Sequence, residues 1–316
     1  ALVDGCYKHM FSNCIRLRYI PYNYLPATTL ANECYNSMFW ACKSLTSAPA
    51  LPATTLATEC YQSMFANCTG LTTAPQLLVT NLSGANYCYE SMFAGCTSLT
   101  TAPALPATTL SQYCYQYMFS GCTSLRNVPS TLPATKLTPN CYYFMFSNCR
   151  NLTTMPTLPA TTMSFLSYGG MFADCTSLTS IPSNYLPATT LYDNCYCYMF
   201  RNCTGLTSAP LSIGNSSMRM TASACTHMFQ GCTSLTTAPT LPITALTYSC
   251  YGYMFSGCTN LTTAPELPAT TLSASCYYGM FYGCSNLEYI KCMATDLPNN
   301  CTNNWMYGVQ TDRDRK

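Results

Sequence analysis

Apolar and polar positions along this chain fall into one pattern that returns every 26 to 29 residues. Its fixed point is a Met-Phe pair at 10, 38, 64, 92, 118, 145, 171, 199, 228, 254 and 280, with a worn twelfth copy at Trp305-Met306. The unit reads C-Y-x-x-M-F-x-x-C-T-S-L-T-T-A-P-x-L-P-A-T-T-L-x-x-x. A period of this length marks stacked coils in which each repeat buries its apolar face on its neighbours.

Within the unit, Cys34, Met38, Cys42 and Leu45 are spaced to share one helical face. Phe39 widens that face and packs with Tyr35. The Gly or Asn before the second Cys (Asn67, Gly95, Gly121) suits a helix end. A short helix or helical turn is therefore expected in each coil. Leu45–Pro49 is too short and Thr-rich to continue it. As a strand it sets Leu45 and Ser47 on one face and Thr46 and Ala48 on the other, and the Pro ends it. Leu51–Leu56 returns as an extended segment.

The expected fold class is thus an α/β repeat solenoid, a right-handed superhelix with a parallel β-sheet face and short helical segments opposite. It should run as one body over residues 1–310, as about eleven coils of 26–29 residues plus a degenerate C-terminal cap, with 311–316 as a polar tail. Length changes fall mainly after the strand, at Pro21–Tyr24, Pro182–Tyr185 and Ser130-Thr131. Two coils, at Gln76–Leu82 and Leu211–Met218, lose the Leu-Pro-Ala-Thr-Thr-Leu text altogether.

The run Met-Phe-Ser-Gly-Cys-Thr-Ser-Leu-Thr-Thr-Ala-Pro resembles the BspA-like, or Treponema pallidum type, leucine-rich repeat family from residue 6 to about 310. The chain departs from the commoner text in having Met-Phe for Ala-Phe. The resemblance implies a leucine-rich-repeat solenoid that is secreted or exposed at a cell surface, and adhesion to host proteins, glycans or other cells. A structural spacer, stalk or appendage component, phage or filament included, that assembles end to end through its terminal coils is the alternative.

Charged residues are only 8% of the chain and the net charge is +2, so the surface must be neutral and rich in hydroxyl and amide groups. The 13 Lys and Arg are scattered, which argues against a nucleic-acid partner. No apolar run is long enough to span a membrane. Of 24 cysteines, 22 fall in the two repeat positions, counting the shifted Cys225 and Cys301. Ser167 and Ala224 replace the first Cys while Cys175 and Cys232 persist, which suits small buried side chains. Buried thiol ladders are expected, with bridges between neighbouring coils as the alternative. Metal sites are not expected, since Cys195-Tyr196-Cys197 lacks a second pair.

No catalytic constellation, phosphate loop or cofactor motif is present, and no enzyme is expected. His9 and His227 read as exposed helix positions, and Glu33, Glu59, Glu90, Asp174 and Asp193 as single loop acids. Tyr35, Tyr61, Tyr89 and their equivalents read as packing on the convex side. Candidate binding residues lie on the sheet face. Thr46, Thr72, Thr100, Thr153, Thr179, Thr207, Thr236 and Thr262 should stack beside a ladder of alanines. Arg16, Arg18, Tyr19, Arg126, Asn127, Glu288 and Tyr289 break that pattern, and specific contacts with a protein or glycan are expected there.

Overall fold

A computed structural model describes residues 2–298 and 300–309; the expected tail, 311–316, lies outside the described residues. The chain divides into two compact units, Ala1–Pro159 and Ala160–Lys316.

In the first unit successive coils lie parallel and form β-bridges at two places on the turn. Ser47 bridges Thr73 and Thr101 bridges Asn127 at the expected strand. Thr29 bridges Thr55 and Asn81 bridges Thr109 on the return segment, and Thr131 bridges Thr157 just before it. These are isolated bridges rather than continuous strands, because the Pro two residues after Ser47 or Thr73 lacks the N–H that would extend the ladder. The expected alternation is also altered. Leu71 and Pro75 are buried, Ala74 is half-buried, and Thr72 and Thr73 both face solvent.

The expected helix does not form: among the described residues there is none. Each C-Y-x-x-M-F-x-x-C segment is instead an arc of overlapping turns. In the arc around Met64, the N–H groups of Cys60, Gln62, Met64, Ala66 and Cys68 bond back three residues to Ala57, Glu59, Tyr61, Ser63 and Phe65. The intervening N–H groups of Glu59, Tyr61, Ser63, Phe65 and Asn67 donate to Asn86, Cys88, Glu90, Met92 and Ala94 of the next coil at 2.7–3.0 Å. Every fourth residue is left-handed: Glu59 at φ 55°, Ser63 at 53° and Asn67 at 61°. That is the backbone a turn needs at its third residue when φ there is positive. The Gly or Asn before the second Cys is therefore the third left-handed position, not a helix stop, and those residues take it at low cost.

With a repeat of four, two neighbours point in and two point out. Cys60, Tyr61, Met64, Phe65 and Cys68 are buried, and the phenylalanines form a column. Phe39, Phe65, Phe93, Phe119 and Phe146 lie 5.5–5.8 Å apart between ring centroids and within 8° of parallel. Tyr35, Tyr61, Tyr89, Tyr115 and Tyr142 form a second column at 5.6–5.9 Å, inside the coil rather than on its outer side.

The second unit repeats this construction. Its bridges include Ser180 with Ser208, Ser208 with Thr237, Thr263 with Tyr289, and Thr162 with Thr190. Phe172, Phe200, Phe229, Phe255 and Phe281 form its phenylalanine column at 5.6–5.8 Å. Ala224 and Cys225 take the places of Cys and Tyr in one coil, and both are fully buried.

All 24 cysteines are free thiols, and all but Cys6, Cys14 and Cys292 are buried. The second of the two Cys positions has a clear local reason. Cys68 Sγ donates to the Phe39 carbonyl at 3.0 Å, Cys96 to Phe65 at 3.1 Å and Cys232 to Phe200 at 3.1 Å. Each such carbonyl also takes the Cys N–H of its own turn, so the thiol fills its second lone pair. Burial pushes the Cys68 and Cys122 thiols up to about 12, which leaves them unreactive near neutral pH.

Candidate functional site

All fifteen candidate residues read from the sequence are exposed. In the first unit the threonines are joined to one another. Thr72 donates both its N–H and its hydroxyl to the Thr46 carbonyl at 3.1 Å. The Arg126 N–H bonds the Thr100 carbonyl at 3.0 Å, and Asn127 Nδ2 donates to Thr101 Oγ1 at 3.3 Å. Thr153 is exposed on a later coil. In the second unit the Thr207 hydroxyl donates to Thr179 and the Thr236 hydroxyl to Thr207. There the Glu288 N–H bonds the Thr262 carbonyl at 2.8 Å. A hydroxyl whose hydrogen is used in this way offers a ligand only its oxygen and its methyl. These rows hold neighbouring coils together and leave a bland outer face.

The pattern breaks differ. Arg18 and Tyr19 stand where later coils carry Thr46 and Ser47, and Arg16 lies two residues earlier. None of the three arginines Arg16, Arg18 and Arg126 makes an ion pair among the described residues. Tyr19 lines a concavity of about 690 Å³ that runs across the turns after the strand. Its walls are Tyr19, Tyr22 and Asn23 of the first coil, Pro49–Pro52 of the second, and Pro75, Gln76 and Leu78 of the third. Tyr19 is 68% exposed, Tyr22 71% and Leu78 53%. The Tyr22 carbonyl accepts the Ala50 N–H at 2.8 Å, which ties the inserted turn to the next coil.

Tyr22, Asn23, Gln76 and Leu78 were not among the residues expected to bind. Their signal was in the text: Tyr22 and Asn23 sit in the two-residue insertion, and Gln76 and Leu78 in the coil that loses Leu-Pro-Ala-Thr-Thr-Leu. The second unit shows the same relation. A concavity of about 370 Å³ is lined by Ser183 and Asn184 of an insertion, by Leu186 just after it, and by Leu211, Ser212 and Asn215 of the other irregular coil. Leu211 is 67% exposed beside it.

Several ionisable groups outside these concavities join the coils. Lys8 pairs with Glu33, Asn36 Nδ2 donates to Glu59 at 3.4 Å, and Gln62 Nε2 donates to Glu90. Burial raises the Glu90 carboxyl, and the Gln62 bond opposes that rise. Asn202 Nδ2 donates to Asp174 at 2.9 Å, and Asp193 accepts the Ala222 N–H at 3.0 Å. These acids are not simply solvated; they join successive coils. His9 is exposed, but His227 is half-buried, with ring centroids of Tyr198 and Tyr253 at 4.8 and 4.9 Å. Its Nδ1 lies 3.0 Å from Gln230 Oε1. Burial lowers its pKa below the usual 6.5, the Gln230 bond raises it, and Arg201 lowers it. Among the described residues no cluster of His, Cys, Asp or Glu is placed to hold a metal, and no helix is long and apolar enough to cross a membrane.

A model of the BspA type leucine rich repeat region, built of 6 copies, matches residues 4–118, 86–236 and 194–305. A solved leucine-rich repeat protein from Bacteroides ovatus is similar at 19% identity and a TM-score of 0.43, covering 89% of this chain and 74% of that one. Comparison with curated proteins gave no match. The matched segments together run from residue 4 to residue 305, and the chain belongs to the BspA-type leucine-rich repeat family.

Proposed function

We propose that the protein is a non-enzymatic adhesin, secreted or exposed at a cell surface, that binds a protein or glycan through the side of its coils carrying the strand and the turn after it. The observation that supports this reading most is the concavity walled by Tyr19, Tyr22 and Leu78. Three large side chains, Tyr19, Tyr22 and Leu78, stand exposed together around it. Contact energy in recognition surfaces concentrates on aromatic and arginine side chains, and Arg18 adjoins Tyr19. The outer threonines supply a flat surround that needs no rearrangement on binding. Such preorganisation lowers the entropy cost of association.

Binding of the purified chain to immobilised matrix proteins, mucins and glycans tests the proposal. Saturable binding to one class is expected. Absence of binding to every class would overturn it.

A further inference from the structure

The Tyr19 concavity has a low floor between tall ends. Ala48, Pro49, Ala50 and Ala74 form the floor, buried or half-buried, and no charged side chain lines it. Tyr19 and Tyr22 rise from the first coil at one end and Leu78 from the third at the other, each more than half exposed. The Ala50 N–H donates to the Tyr22 carbonyl, so the turn that carries Tyr22 is tied to the floor before any ligand arrives.

The distance between those ends selects the ligand backbone that fits. Tyr22 and Leu78 stand two coil steps apart, which at ~4.8 Å between bridged neighbours is about 9.6 Å. A polyproline II segment repeats every three residues, about 9.3 Å. An extended strand presents the same face every two residues, about 6.7 Å, and an α-helix every turn, about 5.4 Å. Positions i and i+3 of a polyproline II ligand lying along the stack therefore meet both ends, whereas neither of the other repeats matches the span.

The polar groups agree with that choice. Proline has no N–H, so a proline-rich segment brings carbonyl acceptors and calls for side-chain donors. Tyr22, Asn23 and Gln76 are exposed at the concavity, and their side chains make no hydrogen bond among the described residues. Arg16 and Arg18 are exposed on the same strand as Tyr19 and make no ion pair among the described residues, which favours a carboxylate at that end of the ligand. Aromatic-lined grooves hold proline-rich peptides well because the preformed helix has little entropy to lose.

We propose that this concavity holds a proline-rich segment of a partner protein in the polyproline II conformation, lying along the stack, with an acidic residue beside Arg18. The inference rests on the reading of the Tyr19, Tyr22 and Leu78 surface as the recognition site and names the class of partner it takes.

The test is fluorescence anisotropy of labelled peptides titrated with the 316-residue chain. The first peptide carries two glutamates and then about nine prolines, three polyproline II turns. In the second the prolines give way to a flexible Gly-Ser run, and in the third the glutamates give way to lysines. The first is expected to bind saturably, and the others at least about 10-fold more weakly. Tyr22→Ser and Leu78→Ser should each weaken the first peptide at least about 10-fold. Both side chains are exposed, so circular dichroism should be unchanged. Arg18→Gln should abolish the preference for glutamate over lysine and keep that for proline over Gly-Ser. Equal binding of the first peptide and either of the others would overturn the proposal, as would binding that the Tyr22 and Leu78 changes leave intact. A chain that ignores the first peptide yet binds an immobilised matrix protein, mucin or glycan through Tyr19, Tyr22 and Leu78 would overturn it and leave the adhesin reading standing. A chain that binds none of these would overturn both.

Discussion

Replacing Ser63 by glycine decides between the arc described here and a helix, because the two predict opposite signs. Ser63 has φ 53° and is half-buried, its N–H bonds the Glu90 carbonyl at 2.8 Å, and its own carbonyl takes the Ala66 N–H at 3.1 Å. Holding an L-residue in the left-handed region costs about 1–2 kcal/mol. Glycine escapes that cost but loses about 0.5–1 kcal/mol of backbone entropy. The net expectation is stabilisation by about 0.5–1 kcal/mol, and Ser91→Gly, at φ 52°, should do the same. Ser63→Val should destabilise, since a β-branched residue is a genuine outlier at positive φ. In a helix Ser→Gly would instead cost about 0.5 kcal/mol, and Val would be near neutral. Urea unfolding by linear extrapolation reads the difference as a shift of midpoint at constant slope. A lower midpoint for Ser63→Gly together with an unchanged one for Ser63→Val would refute the left-handed arc.

The chain has two histidines, and nuclear magnetic resonance of the ring protons should show His227, identified by its loss in His227→Gln, titrating below 6.5. The unfolded chain then binds more protons than the folded one just below pH 6.5, so this contribution to stability is present above 6.5 and lost as pH falls. Titration at or above 6.5 would contradict the sandwich between Tyr198 and Tyr253. Maleimide should label Cys6 and Cys14 quickly in the native protein and Cys292 more slowly, with all 24 thiols reacting only after denaturation. Rapid native labelling of further cysteines would mean that the columns are not packed as described.

The repeat, its period and the family were legible in the sequence because every coil spells the same apolar text. The helix was not. Cys34, Met38 and Cys42 recur every four residues, and a helix of 3.6 residues per turn drifts about 40° over that interval. Over a single unit the drift is small enough to pass as one face. The adjacent pair Tyr35 and Phe39 carried the better signal, since two buried residues followed by two outward ones is a period of four. The inter-coil N–H bonds that make such an arc affordable join residues 24 to 28 apart, and no local propensity reports them. The threonine ladder was read correctly as exposed. Its hydroxyl bonds to the preceding coil were not foreseen, and they shift weight from the ladder to its interruptions. The concavity was missed because the insertion at Pro21–Tyr24 and the irregular Gln76–Leu82 coil were each read only as departures from the repeat text. They lie two coils apart, and only stacking brings Tyr22 and Leu78 to one surface.

The central functional claim is that the Tyr19, Tyr22 and Leu78 surface carries recognition. Its most direct test is the affinity of a Tyr19→Ser, Tyr22→Ser, Leu78→Ser variant for whichever immobilised ligand the unaltered chain binds. Truncating aromatic anchors at a recognition surface costs about 2 kcal/mol or more, a loss of at least about 30-fold. The account predicts a loss of that size with circular dichroism unchanged. Affinity equal to that of the unaltered chain would contradict it.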